Sequence, residues 1–575
     1  MSQSPSASQS PSVSHSPSQY CFEDSAAVVG FRVGELFDAV DSYIIQGCAT
    51  NSSCEIRQQY GNIGTWCTSK VTDMTGLFYE AFSFNEQLDG WDLSSVTSTS
   101  AMFLSAYKFN QPLNSWSVNK VTDMSFMLYG AKQFNQPLNG WNTANVAAMN
   151  NIFDGALKFN HPINGWNVSS VQDMGWMFAA DSNFIDDSRF HLFNQPLEQW
   201  DVSSVINMHF MFAGAKYFNQ PLNAWNVSKV TDMAGMLSRA PNFDQPLNQW
   251  IVDRVTDMNY MFQGASTFNK NVNAWNVNKV TTMIAMFNEA RKFNEPLNNW
   301  SVDMVTNMES MFDTSVNFNQ PMDAWDVGKV TNMKWMFYNA PKFTQPLNSW
   351  NVSKVTIMSG LKETPYGILW TYGMFEGASK FNQELNAWDI SSVTTTSYMF
   401  AGAYRFNQSL NAWNVSWVTD MSFMFAGASD FNQPLDAWDV RSVTDTRCML
   451  ADVGMRAMFA YASSFNQDLC PWGNISTFPY GNGCVDGMFS FSGCTYQASP
   501  IRSSKGPFCA SKCIMPESPS VRQFYSNETF VHATALNRAS TSSSNKQTKP
   551  ICYYPGNNKC PQVPQKSTAS SCSCK

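Results

Sequence analysis

The stretch "FNQPLNAWNVSKVTDM", residues 218–233, recurs along the chain with few changes. Its tryptophan, Trp225, has counterparts 25 residues apart in twelve of fifteen intervals, and the other three intervals are 34, 38 and 34 residues long. A fixed spacing of this length indicates a repeat architecture in which each unit packs against the next. The tryptophans in this register are Trp66, Trp91, Trp116, Trp141, Trp166, Trp200, Trp225, Trp250, Trp275, Trp300, Trp325, Trp350, Trp388, Trp413, Trp438 and Trp472.

The first half of each repeat has the pattern of a short strand. In "LNAWNV", Leu222, Trp225 and Val227 match the L-x-x-L-x-L pattern of a leucine-rich repeat, and Val230 takes its final apolar position. The Trp-x-Val pair alternates with polar residues, which is the period of a strand with one buried face. The sequence therefore predicts a strand around Trp225–Val227.

The second half of each repeat has the spacing of a short helix. Four apolar residues stand at i, i+3, i+4 and i+7, which is one face of two helical turns. Asp232 precedes them, where its carboxylate is expected to cap free backbone N–H groups. The four residues are Met233, Met236, Leu237 and Ala240.

A unit of 25 residues cannot bury its apolar face alone, so stacking on its neighbours is required. The sequence therefore predicts an α/β fold, a right-handed leucine-rich-repeat-like solenoid of about 16 coils. One parallel sheet is expected to line its inner face, with short outer helices. Three insertions interrupt the register, near residues 180–192, 359–373 and 450–458. Two of them duplicate the Met-Phe signature of the repeat, and unspliced in-frame introns are the alternative explanation for all three.

An asparagine follows the phenylalanine of nearly every repeat, as in Asn110, Asn135, Asn219 and Asn432. Buried polar groups need hydrogen-bond partners, and a column of asparagines supplies them to the backbone of adjacent coils. We expect this structural role. The alternative is a ladder of asparagines that binds a ligand.

A second polar column stands directly after each tryptophan and is expected to point outward from the strand face, the default binding surface of a solenoid. Stacked strands about 4.8 Å apart would bring these side chains into one row, suited to a repetitive partner such as a polysaccharide. The alternative is that short polar residues simply suit an exposed sheet. The candidate binding column is Asp92, Asn142, Asn167, Asp201, Asn226, Asn276, Asp326, Asn351, Asp389, Asn414 and Asp439.

Aromatic residues occur irregularly ten residues after the tryptophan. They would form either an exposed patch for a partner or a packed layer between neighbouring helices, and the second arrangement is the more ordinary one. This candidate aromatic flank is Phe126, Trp176, Phe210, Tyr260, Trp335, Tyr398 and Phe423.

The cysteines gather at the two ends, with none between Cys67 and Cys448. Cysteines grouped at the ends of a repeat array predict disulfide-stapled caps in an oxidising compartment, with each group pairing internally. Zinc sites are the rival interpretation, but regular C-x-x-C pairs are missing. The candidate disulfide cysteines are Cys21, Cys48, Cys54, Cys67, Cys470, Cys484, Cys494, Cys509 and Cys513.

Composition and the missing motifs argue against several classes of function. Charged residues make up 14% of the chain and the net charge is −8, without a Lys/Arg block, so nucleic acid is not an expected partner. No apolar run has the roughly 18 residues that a membrane span needs. Nucleophile-elbow, phosphate-loop and zinc-protease motifs are missing, and the repeated Asp of "VTDM" suits capping better than catalysis or calcium binding. We therefore expect neither an enzyme nor a cofactor or metal site.

The copies of "FNQPLNAWNVSKVTDMAGMLSRA" resemble the repeat of BspA-like leucine-rich-repeat surface proteins of the eukaryotic microbial type. The resemblance covers about residues 30–515 and implies a surface-exposed or adhesive protein without naming its ligand. "GELFDAVDSYI" and "YGNIGTW" resemble the N-terminal cap helix and first half-repeat of that family, and "FNQDLCPWG" resembles its cysteine-bearing C-terminal end.

Five segments follow from these patterns: a disordered Ser/Pro-rich tract (1–28), an N-terminal cap (29–65), the repeats (66–469), a C-terminal cap (470–515) and a low-complexity tail (516–575). The Ser/Pro tract lacks the apolar region of a signal peptide. Met1 is accordingly expected to be an internal start of a longer exported chain.

Sequons of the form N-x-[ST] occur at Asn167, Asn226, Asn351 and Asn414, and also at Asn299, Asn407, Asn474 and Asn527. Some of them should carry glycans in a secreted protein. The alternative is chance, because the repeat is rich in Asn and Ser.

Three hypotheses for function remain at this point. The first is an extracellular or cell-surface protein that binds another protein or a glycan. The second is a structural spacer of a cell wall or matrix. The third is an intracellular scaffold, which applies only if Met1 is the genuine start.

Overall fold

The computed structural model describes residues 21–23, 34–51, 53–180, 190–363, 369–443, 455–475, 478, 480, 484–503 and 505–513. The predicted Ser/Pro tract, apart from residues 21–23, and the predicted tail 516–575 lie outside the described residues.

Regular secondary structure is sparse in the described chain. Strand β1 (Cys21–Glu23), helices α1 (Glu35–Ile45) and α2 (Glu55–Tyr60), a 3₁₀ turn (Ile63–Thr65) and strand β2 (Cys67–Lys70) lie at the N-terminal end. Strands β3 (Ser359–Glu363) and β4 (Leu369–Gly373) lie within the repeats, and helix α3 (Cys470–Gly473) lies near the end of the repeats. Among the described residues, no helix has the length and apolar content needed to cross a membrane.

The apolar positions of the repeat form one continuous core. Trp225 and Trp250 are only 3% and 4% exposed, so the tryptophans do not face solvent. From Trp91 onward each indole Nε1–H of the register donates to a backbone carbonyl of the preceding repeat, for example from Trp225 to Leu197 at 3.0 Å and from Trp250 to Leu222 at 2.9 Å. Burial of a tryptophan therefore leaves no indole donor unsatisfied at these positions.

Aromatic rings stack from repeat to repeat inside this core. The Trp275 and Trp300 ring centroids lie 6.5 Å apart with nearly parallel planes. Within a repeat, Phe287 stacks on Phe293 at 4.0 Å, and Phe287 also stacks on Phe312 of the next repeat at 5.7 Å. Each side chain thus packs against its own copy, which explains why the apolar positions of the repeat vary so little.

Successive repeats are joined in parallel, but not where the strand is predicted. Single-residue parallel bridges run without a break from Asp73 to Ile357, and a further bridge joins Thr395 to Asp420. The bridging residue stands seven after the tryptophan, as in Asp232, whereas Trp225–Val227 is not a strand. The Trp-x-Val alternation reflects burial of two side chains, and not backbone pairing.

The segment with helical apolar spacing contains turns and no helix. Alternate backbone N–H groups donate to carbonyl oxygens of the next repeat, from Gly235 to Asn259 at 2.7 Å and from Leu237 to Met261 at 3.0 Å. Intervening N–H groups donate three residues back within the repeat, as from Ser238 to Gly235 at 2.9 Å. These groups are therefore not used in the i→i−4 bonds that a helix requires.

Two residues of most turn segments adopt a left-handed backbone, which directs alternate N–H groups toward the next repeat. Ala285 has φ 51° and Glu289 has φ 56°, and the corresponding residues of the first repeat are Gly76 (φ 67°) and Glu80 (φ 57°). Non-glycine residues adopt this conformation rarely, because it brings Cβ close to the backbone. The hydrogen bonds between repeats hold them there.

The asparagine column bonds the adjacent backbone, as predicted. The Asn194 side-chain oxygen accepts hydrogen bonds from the Asn219 backbone N–H and from the Gln220 side-chain amide, both at 3.0 Å. Asn219 repeats the arrangement toward Asp244 at 2.9 Å. The asparagines are half-buried or exposed at the edge of the core, and are not enclosed in it.

The cysteines of each end pair among themselves, which confirms that prediction for the described pairs. Cys21 pairs with Cys67 and Cys48 with Cys54 at the N-terminal end. At the other end Cys470 pairs with Cys513 and Cys494 with Cys509, and Cys484 is disulfide-bonded too.

Of the three insertions, the one at residues 359–373 is described except for residues 364–368. Strands β3 and β4 pair antiparallel as a hairpin, with Gly360 opposite Tyr372. The Trp335 indole lies beneath it and donates to the carbonyl oxygens of Gly360 and Tyr372 at 3.1 and 3.0 Å. Much of the other two insertions, residues 181–189 and 444–454, lies outside the described residues.

Replacing Glu80 by glycine distinguishes the turn segment from a helix. Glu80 is exposed with φ 57°, so Glu80→Gly should raise the free energy of unfolding by about 1 kcal/mol. In a helix the same change would lower it by about 0.5–1 kcal/mol. Denaturant unfolding of the full chain measures the difference.

The matched control is Ser83→Gly, at an exposed position of the same repeat outside the left-handed region. This variant should be neutral or slightly less stable than the parent chain, because glycine gains only unfolded-state freedom there. A loss of stability in Glu80→Gly equal to or larger than that in Ser83→Gly would contradict the left-handed turn.

Candidate functional site

The residues of the predicted binding column occupy the same place in successive repeats. Ten of the eleven are exposed, and Asp439 is half-buried beside Arg441. One residue separates each column residue from a two-residue turn, as Val227 separates Asn226 from the turn at 228–229.

Every member of the column accepts a hydrogen bond from the backbone N–H two residues further on. Examples are Asp92 from Ser94 at 2.8 Å and Asn226 from Ser228 at 3.2 Å. This is an Asx turn, a local role that favours Asn and Asp over other polar residues. The same bond is made by Asn142, Asn167, Asp201, Asn276, Asp326, Asn351, Asp389, Asn414 and Asp439.

The local bonds also set the charge of the aspartates. Hydrogen bonds from Ser203 lower the pKa of Asp201, and those from Ser391 lower the pKa of Asp389. The Arg441 side chain does the same for the pKa of Asp439. These carboxylates are therefore ionised at neutral pH, and each keeps acceptor capacity beyond its Asx turn.

A second row of short polar side chains lies at the bridging residues. The Asp232 carboxylate accepts the Ala234 N–H at 2.9 Å, and Asp257 accepts the Asn259 N–H at 2.8 Å. Both are half-buried, and burial raises the pKa of Asp257. The residue that sequence analysis places as a helix cap thus caps the turn segment instead.

The aromatic flank is half-buried, apart from the buried Trp335, and some of its rings stack on one another across repeats. Trp176 stacks on Phe210 at 4.3 Å and Tyr398 stacks on Phe423 at 4.6 Å. All seven residues, Phe126, Trp176, Phe210, Tyr260, Trp335, Tyr398 and Phe423, adopt the left-handed backbone. The arrangement resembles a packed layer more than an open patch, although the layer packs turns and not helices.

The repeat pattern does not reveal a cluster of two acidic groups, Glu376 and Asp313, near the end of strand β4. The Glu376 carboxylate accepts the Gly373 N–H at 3.1 Å. Burial is the main cause that raises the pKa of Glu376 to about 8, and the nearby Asp313 adds to it. Glu376 in turn contributes to a raised pKa of Tyr372, which is mainly due to burial. Tyr372 and Gly373 belong to the insertion, which the repeat pattern does not contain.

His191 is a second group that sequence analysis did not single out. It is fully buried next to an insertion, with Nε2 3.1 Å from the Phe153 carbonyl oxygen. The Phe193 N–H donates to Nδ1 at 3.2 Å. These partners fit the neutral Nε2–H tautomer. Burial lowers the pKa of His191 to about 4.

Among the described residues, one group has the proximity that metal ligation needs: Asp468, Cys470 and Cys513. The two cysteines are joined in a disulfide, so their sulfur atoms are not available as thiolate ligands. The group therefore does not fit a metal ion.

The buried His191 should make the protein sensitive to acid. Because the folded-state pKa lies below the ordinary value of 6.5, the unfolded chain binds the proton first as the pH falls. Stability should therefore decrease from about pH 6.5 toward pH 4, by roughly 3 kcal/mol at most. In His191→Gln this part of the decrease should be missing, as measured by denaturant unfolding at each pH.

The control is His161→Gln, at a half-buried histidine within hydrogen-bond distance of the Asn135 carbonyl oxygen. That variant keeps His191 and should keep the decrease. An acid profile that is the same in His191→Gln as in the parent chain would contradict the assignment.

A family model described as "Mycoplasma protein of unknown function, DUF285" matches residues 49–156, 114–191, 186–300, 265–365, 368–454 and 452–490. Since these matches cover most of the chain, the protein belongs to this family. The finding supports the resemblance to BspA-like repeats at the level of the repeat class. No curated protein matches the chain.

Proposed function

We propose that this chain is a non-catalytic extracellular or cell-surface repeat protein that binds a protein or glycan along its stacked repeats. The observation that carries the proposal is the column of eleven Asn and Asp residues in equivalent Asx turns. We take the repeats to be the coils of a right-handed solenoid of about sixteen coils, so that the column extends along its length.

The disulfides support a location outside the reducing cytosol. Cys21–Cys67 and Cys48–Cys54 tie down the first repeats, and Cys470–Cys513 and Cys494–Cys509 the last. Structural disulfides persist in secreted and surface proteins and are rare in cytosolic ones. An intracellular scaffold is the weaker alternative for this reason.

The chemistry of the column suits a repetitive partner. A small-molecule pocket needs unlike groups that converge on one point. Here like groups lie in a row, with asparagine amides such as Asn276 as donors and carboxylates such as Asp326 as acceptors. Sugar hydroxyls bond to both kinds of group, and a polysaccharide repeats them. Affinity would then be the sum of several weak, equivalent contacts.

The proposal predicts distributed binding. Asp326→Ala should weaken binding by only a few-fold, whereas removal of whole repeats should weaken it stepwise. Deleting residues 201–225 removes Asp201 from the column, and deleting 201–250 removes Asp201 and Asn226. Both deletions keep the register because each joins Trp200 to a residue that follows a tryptophan. The partner is first sought on an array of matrix polysaccharides and surface proteins, and binding of these variants is then measured by surface plasmon resonance.

Ser301→Ala is the matched control, at the same place in the repeat but without an Asx turn to its own backbone. Its binding should equal that of the parent chain. One or two alanine substitutions that abolish binding would contradict a distributed surface and indicate a local site. A chain that binds nothing on the array would favour a structural spacer.

A further inference from the structure

We propose that Asn167, Asn226, Asn351 and Asn414 are sites of N-linked glycosylation. Each begins the sequence N-V-S, and all four stand in the same place of their repeats, directly after the tryptophan. All four are exposed. The inference rests on the export that the proposed function includes, but not on the binding activity.

The Asx turn leaves the reactive atom of each asparagine accessible. The side-chain oxygen accepts the backbone N–H of the serine, at 3.1 Å for Asn167 and 3.2 Å for Asn226, Asn351 and Asn414. Within the described part of the chain, the Nδ2 atoms of these residues have no hydrogen-bond partner. A glycan on Nδ2 would therefore leave every hydrogen bond of the turn intact.

In two of the sites the serine hydroxyl also hydrogen-bonds to the asparagine side chain. The hydroxyl of Ser169 donates to the Asn167 oxygen at 2.7 Å, and that of Ser353 to the Asn351 oxygen at 2.8 Å. A hydroxyl two residues after the asparagine is the feature that defines an acceptor sequon. The folded turn thus holds the sequon residues together without the use of Nδ2.

The reaction is a glycosyl transfer from a lipid-diphosphate-linked oligosaccharide. Nδ2 attacks the anomeric carbon and forms the C–N bond, while the bond from that carbon to the diphosphate oxygen breaks. The lipid diphosphate leaves with the electron pair, and the displaced Nδ2 proton passes to a base of the transferase. No oxidant or reductant takes part.

Asn407 shows the contrasting environment. It also begins a sequon, N-Q-S, but it belongs to the asparagine ladder. Its side-chain oxygen accepts the Asn432 N–H at 2.9 Å and the Gln433 side-chain amide at 3.0 Å, and the residue is half-buried. A glycan there would have to fit between adjacent repeats, so we expect this sequon to be unmodified in the folded, secreted protein.

Glycans at the four sites would change which part of the column meets a partner. They would exclude a macromolecule from four repeats. Contact would be left to column members without a sequon, such as Asp92, Asn142, Asn276 and Asp326. The same glycans would also keep the exposed face of the repeats soluble.

The test is glycopeptide mapping of the full chain secreted from eukaryotic cells behind a cleavable leader. Peptides containing the four asparagines should carry glycan that peptide-N-glycosidase removes, and the Asn407 peptide should not. Ser228→Ala should remove the glycan of Asn226 alone, since the Asx bond comes from the backbone N–H of that residue. Asn278→Ser creates the sequon N-V-S at Asn276 and should add one glycan.

Four unmodified peptides in a secreted chain, with a reporter sequon on the leader occupied, would overturn the proposal. An occupied Asn407 together with an unmodified Asn276 in Asn278→Ser would overturn the argument that position in the repeat decides. Because the measurement needs no ligand, its failure leaves the proposed binding untouched. Conversely, loss of binding by a chain with intact glycans would count against the proposed binding and leave the glycosylation sites untouched.

Discussion

The hydrogen bonds that join the backbone of one repeat to the next are the constraint on which this structure depends. In the turn segment they run from alternate N–H groups, such as Gly235 to Asn259. At the bridging residues they continue as parallel contacts, and the Thr256 N–H donates to the Thr231 carbonyl oxygen at 2.9 Å. Buried backbone groups must be paired, and here many of their partners lie in a neighbouring repeat. A repeat is therefore incomplete without its neighbours.

The side chains follow from this backbone arrangement. Because each repeat is laid on the last in register, every core side chain meets a copy of itself, as the stacked Trp325 and Trp350 rings do. Polar side chains obey the same rule, since Asn194 and Asn219 bond in the same way one repeat apart. The first and last repeats have a neighbouring repeat on one side only, and the described disulfide pairs lie at these two ends. The proposed binding and glycosylation sites are accordingly exposed positions that take no part in the stacking.

The parts of the structure that depend on residue spacing and placement alone are predictable from the sequence. The tryptophan register, the buried apolar positions and the bonding of Asn219 follow from which residues recur at 25-residue intervals, and the disulfides at the two ends follow from where the cysteines lie. The turn segment could not be predicted in this way. Met233, Met236, Leu237 and Ala240 are all buried, and a two-turn helix and the observed turns bury the same four positions. Apolar spacing reports which side chains are inside, but not the hydrogen bonds of the backbone between them.

The candidate site was likewise predictable from the sequence only in part. The column residues were located from their place after the tryptophan, but their Asx turns depend on a backbone bend that the strand prediction excluded. The acidic cluster at Glu376 and the buried His191 were missed because each depends on an insertion packing against the repeats. A sequence pattern repeated fifteen times is most informative about what the repeats share, and least informative where one of them departs.

An experimental structure of the full chain at a resolution that fixes backbone torsions tests the central claim most directly, at Ala285. The account predicts a positive φ near 51° and an Ala285 N–H donated to the Glu309 carbonyl oxygen of the next repeat, at about 2.7 Å. A helical φ at Ala285, with its N–H bonded to the Thr281 carbonyl oxygen four residues back, would contradict it.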